Sequence, residues 1–296
     1  MTNNKPTLGI VGAGKAGSTL ARLWFTQGYR ITAVNSRTPA HMYALAERVE
    51  AQGVPSAAAV IEKADLTLFT VPDDVIVPLA QEVATVCGDL KGKAIIHTSG
   101  SHGADSLQAL AQRGAATGGL HPAFPFADIE TSIRKLPGTT FALETEDELL
   151  RKWLHDLAQT LNGRVLDIPR GKKALYHAAL TIASNYTVTL YALAENILLA
   201  LGAEQQTAEQ ALNVLVGATA DNLRAKGIPD ALTGALVRGD VGTVTAHLGA
   251  LELHDQALAA LYVDLARLTL PLLEARGVPL DQIAQVLGQQ NASHST

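Results

Sequence analysis

The stretch Gly12-Ala13-Gly14-Lys15-Ala16-Gly17 decides the fold of this chain. It follows a short apolar run, Leu8–Val11, which predicts a buried strand, and it opens a segment whose apolar residues recur at helical spacing until Gly28. In such a strand-turn-helix the first glycine permits a tight turn, the second lets a pyrophosphate approach the backbone, and the third lets the helix pack on the strand. The N–H groups of the first helical turn then face the anion. The stretch therefore predicts a dinucleotide site to which all six residues contribute.

The end of the second predicted strand, residues 30–34, indicates which dinucleotide binds. A site for NAD usually places a carboxylate there to accept a hydrogen bond from the ribose, whereas the 2′-phosphate of NADP needs a cation and polar donors. This chain has Asn35, Ser36 and Arg37 at that point and no carboxylate. Helix capping by Thr38 is the alternative interpretation, but it leaves Arg37 without a role. We therefore expect NADP(H) rather than NAD(H), held in part by Asn35, Ser36 and Arg37.

The composition is that of a well-packed globular protein. The chain has 296 residues, which is long enough for two domains. Hydrophobic residues make up 47% and charged residues 17% of it, and the formal net charge is −5. The negative charge, without any run of Lys or Arg, argues against nucleic acid and anionic membranes as partners. The single cysteine, Cys87, excludes an internal disulfide and fits a reducing compartment. Because residues 1–6 lack the apolar core of a signal peptide, we expect a cytoplasmic protein.

Strand-like and helix-like segments keep alternating after the first β-α-β unit, which is typical of an α/β fold with a doubly wound parallel sheet. Ligands of such sheets bind at the carboxyl ends of the strands. We therefore assign Val71, Pro72 and Thr98 to the coenzyme, and Ser99 and His121 to the substrate. The predicted strands beyond the first two are residues 67–71, 94–97, 117–121, 140–143 and 164–168.

Strand signals disappear near Pro169, and the rest of the chain is rich in Ala and Leu at helical spacing. This change predicts two domains, a coenzyme domain at residues 1–168 and an all-helical domain for substrate binding and dimerisation at residues 169–296. Residues 288–296 are expected to form a frayed polar tail. The predicted helices, each followed by a glycine or a polar turn, are residues 172–201, 204–226, 241–253 and 256–276.

The segment at residues 174–194 is long enough to span a bilayer and contains no Asp, Glu, Lys or Arg. It nevertheless carries many Tyr, Thr, Ser, His and Asn side chains, which are too polar for a lone helix facing lipid. We expect a helix buried on all sides inside the protein, and no membrane partner.

A polar stripe on this segment is the candidate for chemistry. Lys173, His177 and Thr181 are four residues apart, and Ser184 and Asn185 follow Thr181 by three and four, so the five share one helical face. A buried helix keeps such a stripe only if another segment, water or a ligand satisfies it; a polar helix interface is the alternative interpretation. We assign His177 or Lys173 as the proton donor, Ser184 and Asn185 as further catalytic groups, and Thr181 as a substrate contact.

His97, His102 and His121 also raise the question of a metal. No carboxylate or cysteine lies at a ligand-like spacing from them, so we expect no metal site.

With these motifs, the chain resembles bacterial Rossmann-like proteins whose second domain long carried only an unknown-function label. Those proteins are similar to pyrroline-5-carboxylate reductases, ketopantoate reductases, the β-hydroxyacid dehydrogenase group and the N-terminal domain of deazaflavin-dependent NADP oxidoreductases. The resemblance covers nearly the whole chain. The segments that carry it are Gly12-Ala13-Gly14-Lys15-Ala16-Gly17, Asn35-Ser36-Arg37, Val71-Pro72-Asp73, His97-Thr98-Ser99-Gly100, Leu120-His121-Pro122, Tyr176-His177-Ala178-Ala179, Ser184-Asn185-Tyr186 and Thr233-Gly234-Ala235-Leu236-Val237-Arg238-Gly239-Asp240.

The resemblance implies an NADP-linked reductase with a Rossmann domain and a helical domain similar to the C-terminal domain of 6-phosphogluconate dehydrogenase. One departure bears on catalysis. In β-hydroxyacid dehydrogenases and ketopantoate reductases a catalytic lysine is followed one turn later by an asparagine, whereas here His177 is followed by Thr181, and Asn185 lies a further turn on. Either Lys173 or His177 takes the place of that lysine, or neither does.

The expected reaction is hydride transfer between NADPH and a small carboxylate-bearing carbonyl or imine. A ketopantoate-like 2-oxo acid is the first expectation and a cyclic imino acid the second. The alternatives from other classes are a deazaflavin as hydride acceptor and a protein that senses NADP(H) without turnover. The apolar helices of the second domain predict a homodimer.

Overall fold

The computed structural model describes residues 5–289 and divides the chain into two compact units, Met1–Thr187 and Val188–Thr296. The last strand of the first unit ends at Asp167, and the helix that follows, Lys173–Ala183, belongs to the same unit. The predicted boundary at residues 168 and 169 thus marks the end of the sheet, and its meaning as a domain boundary stays a prediction.

The first unit is built on a sheet of eight strands in the order β3-β2-β1-β4-β5-β6-β7-β8. All neighbouring pairs are parallel except β6 and β7, which run antiparallel. The order reverses between β1 and β4, which is where ligands bind in doubly wound sheets. The strands are β1 Leu8–Val11, β2 Ile31–Asn35, β3 Gln52–Gly53, β4 Leu66–Phe69, β5 Ala94–His97, β6 Ala116–Pro122, β7 Thr140–Thr145 and β8 Arg164–Asp167.

Helices cover both faces of this sheet and bury a separate apolar core on each. One core contains Leu20, Trp24 and Leu154, and the indole N–H of Trp24 donates to the carbonyl of Leu157 at 2.9 Å. The other core contains Val60 and Ile76. The helices of this unit are α1 Lys15–Thr26, α2 Pro39–Arg48, α3 Ala57–Lys63, α4 Asp73–Val86, α5 Gln108–Ala111, α6 Ile129–Lys135, α7 Glu148–Gln159 and α8 Lys173–Ala183, with a 3₁₀ turn at Ala104–Leu107.

The second unit is helical in its described part and has a small core of its own, in which Val244, Val263 and Leu273 are buried. Of the described helices, α12 is long and apolar enough to cross a membrane by length and composition alone, a test that core helices also pass. The helices are α9 Asn185–Ala200, which begins in the first unit, α10 Gln205–Lys226, α11 Val241–His254, α12 Gln256–Glu274 and α13 Asp281–Gln289.

The predicted α/β class with a helical C-terminal region is confirmed, and three details differ. A strand pattern carries no direction, so the antiparallel pairing of β7 was not foreseen. The single helix predicted at residues 172–201 is broken at Ser184 into α8 and α9. The prediction that this segment is buried on all sides is wrong for the single chain, because α9 has no buried residue and α8 buries only Lys173. Of the predicted tail at residues 288–296, residues 290–296 lie outside the described part.

Candidate functional site

The glycine turn connects β1 to α1, and its three glycines have different structural roles. Gly12 has a φ of +108°, which glycine adopts without strain. A Cβ on Gly17 would lie 2.0 Å from the carbonyl oxygen of Gly12, so the close packing of turn and helix requires a glycine there. A Cβ on Gly14 would meet no atom within 4 Å, so space is open above the helix N-terminus. The turn therefore has room for a ligand at its second glycine.

The start of α1 is also electrostatically suited to an anion. Its N-cap is Gly14, which offers no side chain to the first-turn N–H groups, and its first turn has no acidic residue. Lys15 is exposed at the same end, Ala13 is buried and Ala16 half-buried. Since the N–H groups carry the positive end of the helix dipole and are not capped, they can donate to a phosphate.

The end of β2 presents an exposed guanidinium. Arg37 is exposed, and no carboxylate of the described chain pairs with it. Asn35 uses its amide N–H to bind the carbonyl of Val54 at 2.8 Å, so this side chain orders the neighbouring strand. Ser36 is half-buried, and Thr38 is the N-cap of α2 but makes no side-chain capping bond. The capping interpretation is therefore supported by position and not by a bond of the Thr38 hydroxyl.

The ends of β4 and β5 bring the other predicted coenzyme residues to the same edge of the sheet. Half-buried Val71 and exposed Pro72 directly precede α4, and the N–H of half-buried Thr98 donates to the carbonyl of Phe69 at 3.2 Å. The hydroxyl of Ser99 accepts from the backbone N–H groups of Ser101 and His102 at 3.2 and 3.1 Å. Ser99 thus orders the loop after β5, and its predicted contact with substrate stays a prediction.

A group of polar side chains lies against this loop, and we call it the polar cluster: His97, His121, Lys173, Tyr176 and His177. The Nδ1 atom of His121 is 2.9 Å from the Tyr176 hydroxyl, and the rings of His121 and His177 are 6.2 Å apart. A Cβ on Gly100 would lie 2.6 Å from Cδ2 of His177 and 2.9 Å from Nε2 of His121. The loop backbone therefore packs directly on the two rings, which needs a glycine.

Lys173 is the most deeply buried charged residue of the cluster. Its side chain is 2% exposed, and Nζ donates a hydrogen bond of 3.1 Å to the carbonyl of Ser99. Burial lowers the pKa of Lys173 to about 8, while Glu144 and Asp73 act in the opposite direction. The ammonium group therefore loses its proton just above neutral pH.

The two strand histidines of the cluster are neutral at physiological pH. Burial lowers the pKa of both His97 and His121 to about 4, and nearby Lys173 acts in the same direction. Because a carbonyl only accepts, the Nε2 atom of His97, 2.9 Å from the carbonyl of Gly103, carries the proton of that ring. Burial also raises the pKa of Tyr176 to about 12. His121 and His177 are both half-buried, so these two imidazoles are the more accessible ones of the cluster, whereas His97 is buried.

Asp73, at the start of α4, connects the cluster's loop to a neighbouring strand end. Its carboxylate accepts from the Ser101 hydroxyl at 2.7 Å and lies 3.5 Å from Nδ1 of His102. Burial opposes ionisation, but hydrogen bonds from Ser101 and Ser99 and the nearby His102 lower the pKa of Asp73 overall. The loop after β5 is thus held by Asp73 on one side and by Lys173 on the other.

The structure brings Ser99, His121, Lys173 and His177 together, whereas other residues of the stripe lie further along. Thr181 is half-buried on α8, Ser184 is exposed at the break between helices, and Asn185 is exposed at the start of α9. The catalytic and substrate roles predicted for these residues stay predictions.

Sequence reasoning assigned no site role to three residues of this region. Tyr176 directly precedes His177, but a tyrosine on an apolar helix carries no signal of its own. Asp73 follows a strand at the predicted ligand edge and was available from that position. Glu144 is 7% exposed and is the one charged residue of strand β7, which is a usable signal. Within residues 5–289, no group of three His, Cys, Asp or Glu residues is placed to hold a metal.

Comparisons with protein families divide the chain in two. Residues 1–122 match the model of a Rossmann-like domain, and residues 139–269 match a domain of unknown function, DUF2520. A search of curated proteins finds no match. These matches confirm the resemblance inferred from the motifs.

Solved structures share the fold over most of the chain. A candidate NADP oxidoreductase from Bacteroides fragilis, BF3122, is 25% identical, with a TM-score of 0.67 over 88% of this chain and 96% of its own. A reductive aminase from Aspergillus terreus, in complex with NADPH and ethyl levulinate, is 17% identical, with a TM-score of 0.62 over 99% of this chain and 95% of its own. A 1-pyrroline-5-carboxylate reductase from Streptococcus pyogenes is 18% identical, with a TM-score of 0.60 over 88% of this chain and 95% of its own. The chain has the fold of these reductases.

Proposed function

We propose that this protein is an NADP(H)-dependent oxidoreductase that transfers a hydride between NADPH and a small carboxylate-bearing carbonyl or imine. The observation that carries the proposal is the pairing of an uncapped helix N-terminus at Gly14 with the exposed guanidinium of Arg37 at the end of the next strand. The helix N-terminus suits a pyrophosphate, and the guanidinium suits a 2′-phosphate. The naming of BF3122 as a candidate NADP oxidoreductase, at 25% identity over most of both chains, supports the same coenzyme.

The residues of the turn suit the coenzyme, because the space above Gly14 is open. The backbone of residues 12–17 would hold the pyrophosphate, and Ser36 with Arg37 the 2′-phosphate; Val71, Pro72 and Thr98 would border the nicotinamide. A bound NADPH supplies the hydride. The open space above Gly14 is the feature of this chain that admits such a ligand.

The polar cluster would provide the proton that reduction requires. Adding a hydride to a carbonyl or imine carbon leaves negative charge on the oxygen or nitrogen, which a nearby acid neutralises. We assign proton donation to His177, because it is half-buried whereas Lys173 is 2% exposed. Lys173 supplies positive charge behind the site and holds the loop through Ser99. Thr181, Ser184 and Asn185 are assigned to the remaining polar groups of the substrate.

Two substrate classes remain within the proposal. A ketopantoate-like 2-oxo acid is the expectation from the sequence, and a cyclic imine carboxylate is supported by the shared fold of the reductase that acts on 1-pyrroline-5-carboxylate. Oxidation of NADPH, followed by absorbance against a panel of 2-oxo acids and cyclic imine carboxylates, tests the proposal. Turnover of one class identifies the substrate type. An inert panel with intact NADPH binding would favour a sensing protein, and bleaching of an added deazaflavin would favour a flavin-type acceptor.

We also propose that the protein forms a homodimer through its helical region. No residue of α9 is buried in the single chain, although most of its side chains are apolar. Leu190, Val214 and Leu215 are also exposed, and exposed apolar side chains on this scale are typical of an interface. A second copy of the chain is the occupant proposed, since most soluble assemblies are symmetric homo-oligomers. Light scattering should give twice the monomer mass, and a monomer at micromolar concentration would contradict the proposal.

A further inference from the structure

Tyr176 and His121 form a close polar contact between helix α8 and strand β6. The Nδ1 atom of His121 is 2.9 Å from the Tyr176 hydroxyl, and the two rings meet edge to face with their centres 5.7 Å apart. Both side chains are half-buried. Nζ of Lys173 lies 5.7 Å from the centre of the Tyr176 ring, within the range of a cation–π contact. The tyrosine ring therefore contacts both a histidine and a buried lysine.

The direction of this hydrogen bond follows from what each partner can donate. Burial lowers the pKa of His121 to about 4 and raises the pKa of Tyr176 to about 12, so at neutral pH the imidazole is uncharged and the phenol keeps its proton. A neutral imidazole carries one N–H group, and its other nitrogen only accepts. The described chain offers the Tyr176 hydroxyl no other partner, so its proton is satisfied if Nδ1 accepts it. The proton of the His121 ring then lies on Nε2.

Nε2 of His121 faces a space that a glycine keeps open. A Cβ on Gly100 would lie 2.9 Å from this atom and 2.6 Å from Cδ2 of His177, so a side chain at position 100 would collide with both rings. Within residues 5–289, Nε2 makes no hydrogen bond, and it is not among the fully buried polar atoms that lack a partner. The Nε2–H group is thus an available donor beside His177.

We propose that Tyr176 is a positioning residue, whose hydroxyl donates to Nδ1 of His121 and so holds the ring proton on Nε2, where it binds an acceptor oxygen of the substrate. That oxygen belongs to a carbonyl or a carboxylate group, because an ammonium or iminium N–H group only donates and cannot pair with a second donor. The contact with substrate rests on the proposed function. The tautomer of His121 does not depend on it.

The two imidazoles at Gly100 then have separate tasks. His177 is assigned to transfer a proton, whereas His121 gives a hydrogen bond and keeps its proton. A neutral histidine can stabilise developing negative charge in this way only if its N–H group points at the oxygen. The Nδ1–H tautomer of His121 would present a bare nitrogen to the same oxygen and repel it, so the tautomer must be fixed by a second group.

The test is the position of the proton on His121 in the full-length, coenzyme-free protein at pH 7. In protein labelled with ¹⁵N in its histidines, NMR distinguishes a protonated ring nitrogen from a bare one, and His121→Gln identifies the signals of this ring. The wild type should carry the proton on Nε2 and have a bare Nδ1. A proton on Nδ1 would overturn the proposal, and this measurement needs no substitution of Tyr176.

Tyr176→Phe removes the hydroxyl and keeps the aromatic ring. The Nδ1–H form of His121 should then become populated, so the chemical shift of Nε2 should move toward that of a bare nitrogen. Tyr262→Phe is the matched control, because the Tyr262 hydroxyl lies 3.0 Å from Nδ1 of His247 in the same edge-to-face arrangement. It should alter the signals of His247 and leave those of His121 unchanged. An unchanged Nε2 shift of His121 in folded Tyr176→Phe would contradict the proposal.

In an active enzyme, kinetics separate a positioning role of Tyr176 from a direct one. Tyr176→Phe should raise KM for the substrate found in the panel by about fivefold and leave NADPH affinity unchanged, because it weakens one hydrogen bond to substrate. In His121→Gln, which has no ring to orient, adding Tyr176→Phe should change KM no further. An equal increase in both backgrounds would show that Tyr176 acts without His121 and would overturn the proposal. The NMR spectra need no substrate, so they remain decisive if the protein proves not to be a reductase.

Discussion

The ammonium nitrogen of Lys173 donates a hydrogen bond of 3.1 Å to the carbonyl oxygen of Ser99. This bond joins the first helix after the sheet to the loop that follows β5, and it fixes the loop backbone against the rings of His121 and His177. A buried charge thereby orders the segment that borders the proposed active site.

Substitution at two glycines of the turn should separate binding from folding. Gly14→Ala meets no atom of the protein, so the melting temperature should hardly change while NADPH affinity falls by about tenfold, or about 1.4 kcal/mol. Gly17→Ala places a Cβ 2.0 Å from the carbonyl of Gly12 and should destabilise the fold by about 3 kcal/mol. Thermal unfolding and coenzyme titration check the pair. Full NADPH affinity in Gly14→Ala would show that the ligand does not approach this glycine.

His177→Ala should lower kcat by about 10²-fold while coenzyme affinity stays nearly unchanged, because it removes a proton donor and no part of the coenzyme site. Steady-state kinetics with the substrate found in the panel measure this effect. His254→Ala, which removes an exposed histidine, serves as the control. An unaltered kcat in His177→Ala would exclude His177 from the mechanism.

The rate of reduction should decline as the pH rises through about 8, since burial lowers the pKa of Lys173 to that value and the neutral amine no longer provides positive charge. Lys173→Met should lower kcat by roughly tenfold, about 1.4 kcal/mol of barrier, and abolish this limb of the pH profile. Lys172→Met changes the exposed neighbour of Lys173 and should leave kcat and the pH profile unchanged. A limb that persists in Lys173→Met would assign the titration to another group.

His97 should make the fold sensitive to acid. Its pKa falls from 6.5 to about 4 on folding, so the unfolded state binds more protons between these values and the free energy of unfolding decreases as the pH falls through this window. The contribution is fully present above pH 6.5 and amounts to about 3 kcal/mol.

His97→Gln preserves a donor for the carbonyl of Gly103 and should remove about half of this pH dependence, since the pKa of half-buried His121 is also lowered to about 4. Urea unfolding at pH 7 and pH 5 measures the effect. If the decrease between these values is the same in His97→Gln and in wild type, His97 is not its source.

Helices and strands with a clear hydrophobic period were predictable from the sequence, whereas the contacts between them were not. The turn at Gly12 and Gly17 and the strand that ends at His97 follow from local patterns. The break at Ser184 is different, because serine is tolerated in helices and nothing nearby signals an end. That Glu144 and His97 leave the sheet on the same face depends on strand order and on the direction of β7, which no local pattern encodes.

In the candidate site, too, some residues could be predicted from a local pattern and others could not. Residues at strand ends, such as Thr98 and His121, could be proposed from the sequence because ligands of a doubly wound sheet bind at the carboxyl ends of its strands. Glu144 lies inside a strand, and only the register across Gly119 places it on the same face of the sheet as His97. Its charge within a strand was visible in the sequence, but the group that shares its face of the sheet was not.

The central claim is that the chain binds a phosphorylated adenine dinucleotide through the glycine turn and Arg37. Calorimetric titration of the purified protein with NADPH and with NADH tests it most directly, with Arg37→Ala compared against Arg30→Ala at the opposite end of the same strand. We predict that NADPH binds at least about tenfold more tightly than NADH, and that Arg37→Ala, but not Arg30→Ala, removes this preference. Absence of saturable binding of either coenzyme to the folded protein would contradict the account.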